Sequence, residues 1–503
     1  MSTYDFKHSI KDSLTNFSLL STSKVLVQLL HLAILALIAR KLGAESFGKL
    51  NVFLMVAQFI FLITVKWTAT GFTRFSITHM IENKPISHIF WARNLIAAGL
   101  LMLIVFGTVL QKDAIANYMG LPPSSLLLLF GYYLGLLVAD YTYQIAEITT
   151  SFKALSVIQV VEKMVLFLLL CLFSTHIFSI IYITIIAVVG SRIWLFVPVW
   201  RRLTYPLRTS NDECVALLRF SLPLLFVSIG GFVFGWIDIV IIKFFMTIEK
   251  VGVYSLAYNG LNAVESVVLL MATVLRPIFI SLVANEKKDI IAAFGRRILP
   301  QIQFIWGLAV IVLGWVSTWM IPLVFGRDFA PSSPVFVILL ISLNFTVFNT
   351  IVQSIFIGMS RVGTVARISI SATLINLILD LILVPLMGIM GGAIATLFSC
   401  LWISLWYYKA LNKTVPLQIG APFLIVIVIA SQALGLVLTN TMGTGIALSA
   451  CSLIICFVIS KKMDLFQRSD KAIYDRLALP AVARGVLGWL CDFYEKPKRN
   501  KTI

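Results

Sequence analysis

Charged side chains inside long apolar stretches are the residues of this sequence best placed to do chemistry. Lys24, Lys66 and Arg276 each stand about six to eight residues from the end of such a stretch, roughly 10 Å deep in a helix. Hydrocarbon solvates a charge poorly, so a cation at that depth faces a cavity or a partner. Three cations in one layer would suit an anionic ligand such as a phosphate or a diphosphate. The sequence therefore predicts a binding site built from these three residues.

Helix-to-helix ion pairing is the alternative interpretation of the same cations. Asp140, Glu147 and Asp238 also lie inside apolar stretches, and each could neutralise a nearby cation. Asp238 and Glu265 lie near the middle of their stretches, where a carboxylate can carry a coupling proton or sodium ion. Buried carboxylates can equally hold helices together through hydrogen bonds. Both roles stay open, with Asp238 and Glu265 as the candidates for ion coupling.

Four further basic residues have a local explanation. Arg93, Arg192 and Arg219 stand near the ends of apolar stretches, and we expect their side chains to extend into the membrane interface. Arg93 and Arg219 are also kept as secondary cations of the binding site. Lys163 directly follows Glu162, and the two are predicted to form a local ion pair.

The elements that must position these residues are transmembrane helices. The chain has 503 residues, of which 59% are hydrophobic and only 12% charged, and its mean hydropathy is +0.97. A soluble domain carries roughly 25% charged residues. Apolar runs of about twenty residues recur along the chain, long enough to cross a ~30 Å hydrocarbon core. The prediction is an all-α integral membrane protein with about 14 transmembrane helices.

Basic residues outnumber acidic ones, 40 against 22, for a net charge of +18. Such a balance is typical of nucleic-acid-binding proteins, but here the cations lie in short loops, so no nucleic-acid partner is expected. Alternate loops carry very unequal numbers of Lys and Arg, and the richer set includes both termini, which are therefore predicted to be cytoplasmic. The six cysteines show no metal-binding spacing, and no disulfide framework is expected.

Two pairs of short motifs indicate an internal repeat. Phe17–Leu19 corresponds to Phe220–Leu222, and Glu45–Gly48 corresponds to Glu249–Gly252. A match between the first and seventh predicted helices preserves membrane orientation, as in the parallel repeats of many secondary transporters. The predicted domains are two pseudo-symmetric six-helix lobes, residues 1–205 and 206–412. Two additional C-terminal helices at residues 413–460 and a basic cytoplasmic tail at residues 461–503 would follow them.

The basic tail allows two interpretations. Residues from Ala472 to Phe493 mix apolar and charged side chains with loose helical spacing. They could form an amphipathic helix on an anionic membrane surface. A solvated basic tail is the alternative.

Four segments of the chain carry a resemblance to a known family. In chain order they are Ile38–Gly48, Asp238–Ile242 with Val251–Tyr258, Val324–Pro331 and Gly388–Thr396. They resemble the first-loop signature, the seventh and eighth helices, the motif after helix 9 and the glycine-rich start of helix 12 of polysaccharide transporter (Wzx-type) flippases. That family belongs to the multidrug/oligosaccharidyl-lipid/polysaccharide exporter superfamily.

The resemblance implies a fold, a cargo and partners. The fold would have two lobes, as in multidrug exporters and the lipid II flippase. The cargo would be an undecaprenyl-diphosphate-linked oligosaccharide repeat unit of O-antigen or a related surface polysaccharide. It would move from the cytoplasmic to the outer leaflet of a bacterial inner membrane by alternating access. Lys24, Lys66 and Arg276 would hold the diphosphate, without a cofactor. Membrane lipids and the polymerase and chain-length machinery of the pathway would be partners.

Three further features bear on that mechanism. The two extra helices could form a lipid-binding groove, as they do in the lipid II flippase. Pro277, directly after Arg276, could break its helix and free backbone groups to line a cavity. Asp380 stands where the family often carries polar amides, which leaves its role open.

Two other classes of function remain as alternatives. A multidrug or organic-cation antiporter of the same superfamily needs acids in its cavity, so the cationic layer favours the flippase. A membrane polysaccharide polymerase or ligase is an enzyme that tends to carry a large external loop, and no such loop is predicted here. The sequence also lacks a GxxxxGK[S/T] phosphate-binding loop. We therefore expect a transporter, not an enzyme, driven by a proton or sodium gradient or by consumption of the cargo.

Overall fold

The chain is built from long helices in a computed structural model. The structure describes residues 3–149, 151–173, 176–193, 205, 209–285, 287–413, 454, 457–458, 460–461, 464–471, 474 and 481–494. No strand occurs among these residues, in agreement with the predicted all-α class.

Fifteen described α-helices follow one another along the chain. They are α1 Thr3–Thr64, α2 Ala69–Ile81, α3 Ser87–Leu110, α4 Lys112–Met119, α5 Ser125–Ile148, α6 Phe152–Phe173, α7 Ile177–Gly190, α8 Asn211–Phe245, α9 Ile248–Ala284, α10 Lys288–Ala293, α11 Leu299–Phe325, α12 Ser332–Gly358, α13 Val362–Met387, α14 Ile389–Asn412 and α15 Ala481–Tyr494. Short 3₁₀ turns also occur, at Lys66–Thr68, Arg327–Phe329 and Arg468–Asp470, and a π-helical turn, Phe294–Ile298, lies between α10 and α11.

Two compact units divide the chain, Met1–Leu256 and Ala257–Ile503. The first holds α1 to α8 and the opening turns of α9, and the second holds the rest of α9 and α10 to α15. The six-helix lobes at residues 1–205 and 206–412 remain a prediction. The two additional helices predicted at residues 413–460 fall almost entirely outside the described residues.

Nine stretches within the described part of the chain are helical, long and apolar enough to cross a membrane. The chain is therefore a multi-pass membrane protein. The apolar part of α1, Ser23–Thr64, has 42 residues, enough for two crossings of a membrane. Gly43 separates them with a φ of 71° and a ψ of 173°, a backbone conformation that favours a residue without a Cβ. The total of about 14 spans remains a prediction.

The two copies of the repeat motif meet inside the first unit. A Cβ added to Gly48 would lie 2.0 Å from the carbonyl oxygen of Ile248, and one added to Gly252 would lie 2.0 Å from that of Ala44. The contact is reciprocal, because each glycine faces the carbonyl four residues before its counterpart. Glycine at both positions lets α1 and α9 approach to backbone contact. The internal repeat itself remains a prediction.

Apolar side chains are found both in the packed interior and on the exposed surface, as expected for helices in lipid. On α12, Leu339, Val347 and Ile351 are fully buried within the second unit. On α3, Met102 and Phe106 are exposed. Exposed apolar side chains in such numbers suit a surface that faces lipid tails and not water.

The C-terminal segment packs on the start of α11 within the second unit. Arg297 donates from Nε and Nη2 to the two oxygens of Asp470, at 2.9 and 2.8 Å. Gln301 Nε2 donates to the same carboxylate at 2.7 Å and accepts from the Tyr474 hydroxyl at 2.7 Å. Helix α15 follows and buries Cys491. The described part of the tail is therefore attached to the protein, and its contact with a membrane surface remains a prediction.

Candidate functional site: a charged network beside a helix break

A helix break follows α1, and Lys66 stands in it. Helix α1 ends at Thr64 and α2 begins at Ala69, with one tight turn, Lys66–Thr68, between them. Val65 has left the helical region with a φ of −132° and a ψ of −44°. The Thr68 hydroxyl donates to the Val65 carbonyl at 2.6 Å. A break of this kind is tolerated at membrane depth because side chains satisfy the backbone groups it releases.

Arg93 on α3 occupies the space beside this break and is fully buried. Its Nε donates to Thr68 Oγ1 at 2.9 Å, and its Nη1 donates to Gln144 Oε1 at 2.7 Å. Its Nη2 donates to Asp140 Oδ2 at 2.7 Å and to the Val65 carbonyl at 3.3 Å. A guanidinium offers several donors in a rigid fork, so one side chain connects the break to α5.

Two aromatic rings enclose the guanidinium. The carbon at its centre lies 4.6 Å from the ring centroid of Tyr141 and 5.2 Å from that of Phe72. The two rings meet edge to face, with their centroids 5.6 Å apart. Cation–π attraction and close packing therefore hold Arg93 in one position.

Asp140 on α5 is the centre of the network. Its Oδ2 accepts from Arg93 at 2.7 Å and also from Gln144, one helical turn later. Its Oδ1 accepts from Lys66 Nζ at 2.9 Å. The carboxylate is only 4% exposed, whereas the Lys66 side chain is 52% exposed. One buried carboxylate thus neutralises one buried cation and holds one accessible cation.

Lys66 is the part of the network that a ligand can reach. Lys66, Arg93 and Asp140 carry a formal charge of one positive unit together, so the group attracts an anion. An ammonium has three donors, and within the described residues one of them goes to Asp140. The others can bind an anionic oxygen, and the attachment to Asp140 limits the conformational freedom that binding would otherwise remove.

An apolar cavity opens along the same helix. It has a volume of about 430 Å³ and is lined by side chains of α1, α3, α4 and α5, among them Phe59, Ile63 and Leu129. Ile63 stands three residues before Lys66, which lies in the turn after the end of α1. The first unit therefore offers both an accessible cation and an apolar cavity.

The other predicted cations make no hydrogen bond or ion pair with this network among the described contacts. Lys24 is exposed on α1 and Arg219 is exposed on α8, both in the first unit. Arg276 is exposed on the part of α9 that belongs to the second unit. The layer formed by Lys24, Lys66 and Arg276 remains a prediction. Pairing of Lys66 with Asp140, which was the alternative interpretation, is confirmed.

The expectation that Arg93 and Arg192 extend into the interface is wrong. Arg93 is enclosed by the network, and Arg192 is buried in an ion pair with Glu162. The predicted pair of Lys163 with Glu162 is present, with an N–O distance of 3.2 Å. Distance from a helix end does not decide exposure here, because neighbouring helices supply carboxylates that hold these cations inside.

The two candidate coupling acids differ in their surroundings. Asp238 on α8 is buried in the first unit, where the hydroxyl of Tyr254 on α9 donates to its Oδ2. Glu265 is partly buried on α9 in the second unit. Helix α9 runs from Ile248 to Ala284 without interruption, so the predicted break at Pro277 is wrong. A break does occur at Lys66–Thr68, directly after the candidate span that ends at Thr64.

Sequence reasoning missed the role of Gln144 and Thr68. Gln144 follows Asp140 by four residues, which places both on one face of α5, and this spacing was the signal available in the sequence. Asp380, whose role the sequence left open, is fully buried on α13 and accepts from Asn376 Nδ2 at 2.7 Å. A polar amide therefore stands beside it, one turn earlier on the same helix.

Known proteins are similar to this chain in sequence. Residues 13–283, more than half of the chain, match the family described as polysaccharide biosynthesis protein. A probable low-salt glycan biosynthesis flippase of Haloferax volcanii, Agl15, is 26% identical over 201 residues, which are 38% of this chain and 41% of that protein. An uncharacterized membrane protein of Methanocaldococcus jannaschii, MJ1068, is 24% identical over 201 residues, 39% of each chain. The chain matches about two fifths of the length of these curated relatives.

Solved structures share the fold over most of the chain. The lipid II flippase MurJ in an inward closed conformation has a TM-score of 0.66 at 15% identity, covering 89% of this chain and 99% of that chain. An inward-facing multidrug resistance transporter of the MATE family has a TM-score of 0.59 at 16% identity, covering 77% of this chain and 96% of that one. The expected similarity of fold to the lipid II flippase and to multidrug exporters is confirmed.

Proposed function

The chain belongs to the polysaccharide biosynthesis protein family, and from this premise we propose that it is a flippase for lipid-linked oligosaccharides. The observation that carries the proposal is Lys66, a half-exposed cation fixed to a buried carboxylate inside a membrane-spanning unit. The fold, similar to that of a lipid II flippase, and the name of the Haloferax volcanii relative support the same class of cargo.

Lys66 would bind the phosphate part of the cargo. Arg93 fixes Asp140, Asp140 fixes the Lys66 ammonium, and the remaining N–H groups of that ammonium would donate to phosphate oxygens. Arg93 acts through Asp140 and is therefore a positioning residue. The apolar cavity lined by α1, α3, α4 and α5 would accept an apolar part of the same amphiphile.

The finer features of the cargo and its path belong to the same proposal. Lys24 and Arg276 would complete the diphosphate site, with Arg219 as a further cation. The cargo would be an undecaprenyl-diphosphate-linked repeat unit of O-antigen or a related polysaccharide. It would cross a bacterial inner membrane toward the outer leaflet, with both termini of the protein in the cytoplasm. Asp238 or Glu265 would carry a coupling ion.

Export of an organic cation is the second candidate, because a multidrug transporter shares the fold. That function would need an accessible carboxylate in the cavity. The Asp140 carboxylate is instead buried, and two cations neutralise it. The net positive charge of this network favours an anionic cargo.

Three single variants test the proposal: Lys24→Ala, Lys66→Ala and Arg276→Ala. We expect each to lower surface polysaccharide, measured by lectin labelling of whole cells, while the lipid-linked precursor accumulates and protein abundance stays normal. Lys112→Ala removes an exposed cation at the start of α4 and serves as the control. Normal export in all three variants would remove the diphosphate site. Normal export together with resistance to cationic drugs that depends on the protein would favour the antiporter.

A further inference from the structure

A groove between α13 and α14 lies in the second unit, apart from the charged network. It has a volume of about 480 Å³, and its lining includes Arg367, Trp402, Trp406, Lys409 and Lys413. Trp402, Trp406 and Lys409 on α14 and Lys413 just after its end are spaced four, three and four residues apart. This spacing places them along one face of the helix. Two tryptophans and three cations therefore line one groove between two helices.

Internal contacts hold the aromatic part of this groove in place. Trp402 Nε1 donates across to Ser371 Oγ on α13 at 3.1 Å. The Lys409 ammonium lies 5.2 Å from the centroid of the Trp406 ring. Cation–π attraction positions Lys409 without neutralising it. Among the described residues that line the groove, none is a carboxylate, so its three cations carry uncompensated charge.

The surface beyond the groove is apolar. Leu374 and Ile378 on α13 and Phe398 on α14 are all about half exposed. They follow the groove in the direction away from the helix ends that carry the cations. A basic groove that continues into an exposed apolar surface matches a molecule with an anionic head and hydrocarbon chains.

The position of the groove agrees with a membrane interface. Tryptophan is enriched where the hydrocarbon meets the headgroups. The helix ends that carry Arg367, Lys409 and Lys413 are those that the loop charges predict to be cytoplasmic. The cytoplasmic leaflet is the one that is rich in anionic lipids, and basic grooves between helices bind their headgroups.

We infer that this groove binds the phosphate headgroup of an anionic membrane phospholipid. Arg367, Lys409 and Lys413 bind the phosphate, the Trp402 and Trp406 rings pack against the glycerol region, and the acyl chains lie along α13 and α14. The site shares no residue with the proposed cargo site, and its occupant is a resident lipid of the membrane.

Native mass spectrometry of the full-length protein in detergent tests this site. Phosphatidylglycerol and phosphatidylcholine with the same acyl chains are titrated, and the affinity of the retained lipid is measured. We expect phosphatidylglycerol to bind more tightly, and the triple variant Arg367→Gln, Lys409→Gln, Lys413→Gln to bind it roughly a hundredfold more weakly, at about fivefold per cation. Equal affinity for the two lipids in the unaltered protein would overturn the inference.

A matched control removes three exposed cations from other loops that are predicted to be cytoplasmic. The variant Lys84→Gln, Lys153→Gln, Lys287→Gln loses the same charge, and we expect its affinity to change less than threefold. An equal loss of affinity in both triple variants would show a general charge effect and overturn the site. Displacement of the lipid by an equal concentration of inorganic phosphate would show a free-phosphate site and overturn the lipid assignment. The readout is lipid binding, so it does not depend on transport.

Discussion

Replacing Arg93 with Gln perturbs the charged network at its most buried point. The change removes four hydrogen bonds and leaves Asp140, Gln144 and the Val65 carbonyl short of donors. An interhelical hydrogen bond in a bilayer contributes about 0.6 kcal/mol on average, so four contribute about 2.4 kcal/mol. Removing one partner of a buried ion pair costs roughly 3–5 kcal/mol. Lys66 still neutralises Asp140, so we expect a loss of about 3 kcal/mol in the free energy of unfolding.

The assay is reversible unfolding in mixed micelles, followed by far-UV circular dichroism across an SDS titration. Arg219→Gln is the matched control, because it makes the same chemical change at an exposed position on α8, with an expected effect within about 0.5 kcal/mol. The double variant Arg93→Met, Asp140→Leu should be more stable than Arg93→Met alone, because it also removes the buried carboxylate, which Arg93→Met leaves with only the half-exposed Lys66 as its cation. Equal stability of the Arg93 and Arg219 variants would refute the reasoning.

Three further predictions concern packing and the tail. Gly48→Ala should prevent folding, because its Cβ would lie 2.0 Å from a carbonyl oxygen of the facing helix, whereas Gly99→Ala, with open space around it, should be tolerated. Fluorescence-detected size-exclusion chromatography distinguishes the two variants. Equal elution profiles would contradict the contact. Asp470→Asn should weaken the bidentate pair with Arg297 and speed tryptic cleavage of the tail several-fold; an unchanged cleavage rate would contradict this attachment. Burial raises the pKa of the Cys491 thiol, so less thiolate is present near neutral pH and maleimide labelling should be slow, then rise with pH and in the Asp470 variant. Labelling as fast as that of a free thiol would contradict its burial.

The helical class and much of the charge pairing could be predicted from single segments of sequence. Long apolar runs predict helices in lipid, because hydrocarbon offers no partner to a free backbone group. Adjacent positions were equally informative, as the pair of Glu162 with Lys163 shows. In each case the information lies within a short stretch of the chain.

The surroundings of the candidate site could not be predicted in the same way. Arg93, Lys66 and Asp140 come from three different helices, and their contacts depend on how those helices pack. The break at Lys66–Thr68 contains no proline, and Pro277, which the sequence marked as a break, lies within a continuous helix. Helix breaks in a bundle are decided by the partners available to the released backbone groups, which neighbouring helices supply.

The sequence by itself determined that this is a helical membrane protein of the polysaccharide biosynthesis family, and it predicted that Lys66 is a cation at membrane depth. Those conclusions depend on hydropathy, charge and motifs, which are properties of the chain read in order. Only the tertiary structure decided that Arg93 is buried and that Asp140 joins it to Lys66. It also decided that Lys66, and neither Arg93 nor Asp140, is accessible. The physical reason is that a charge can stay inside a membrane protein only where packed helices bring its hydrogen-bond partners to it.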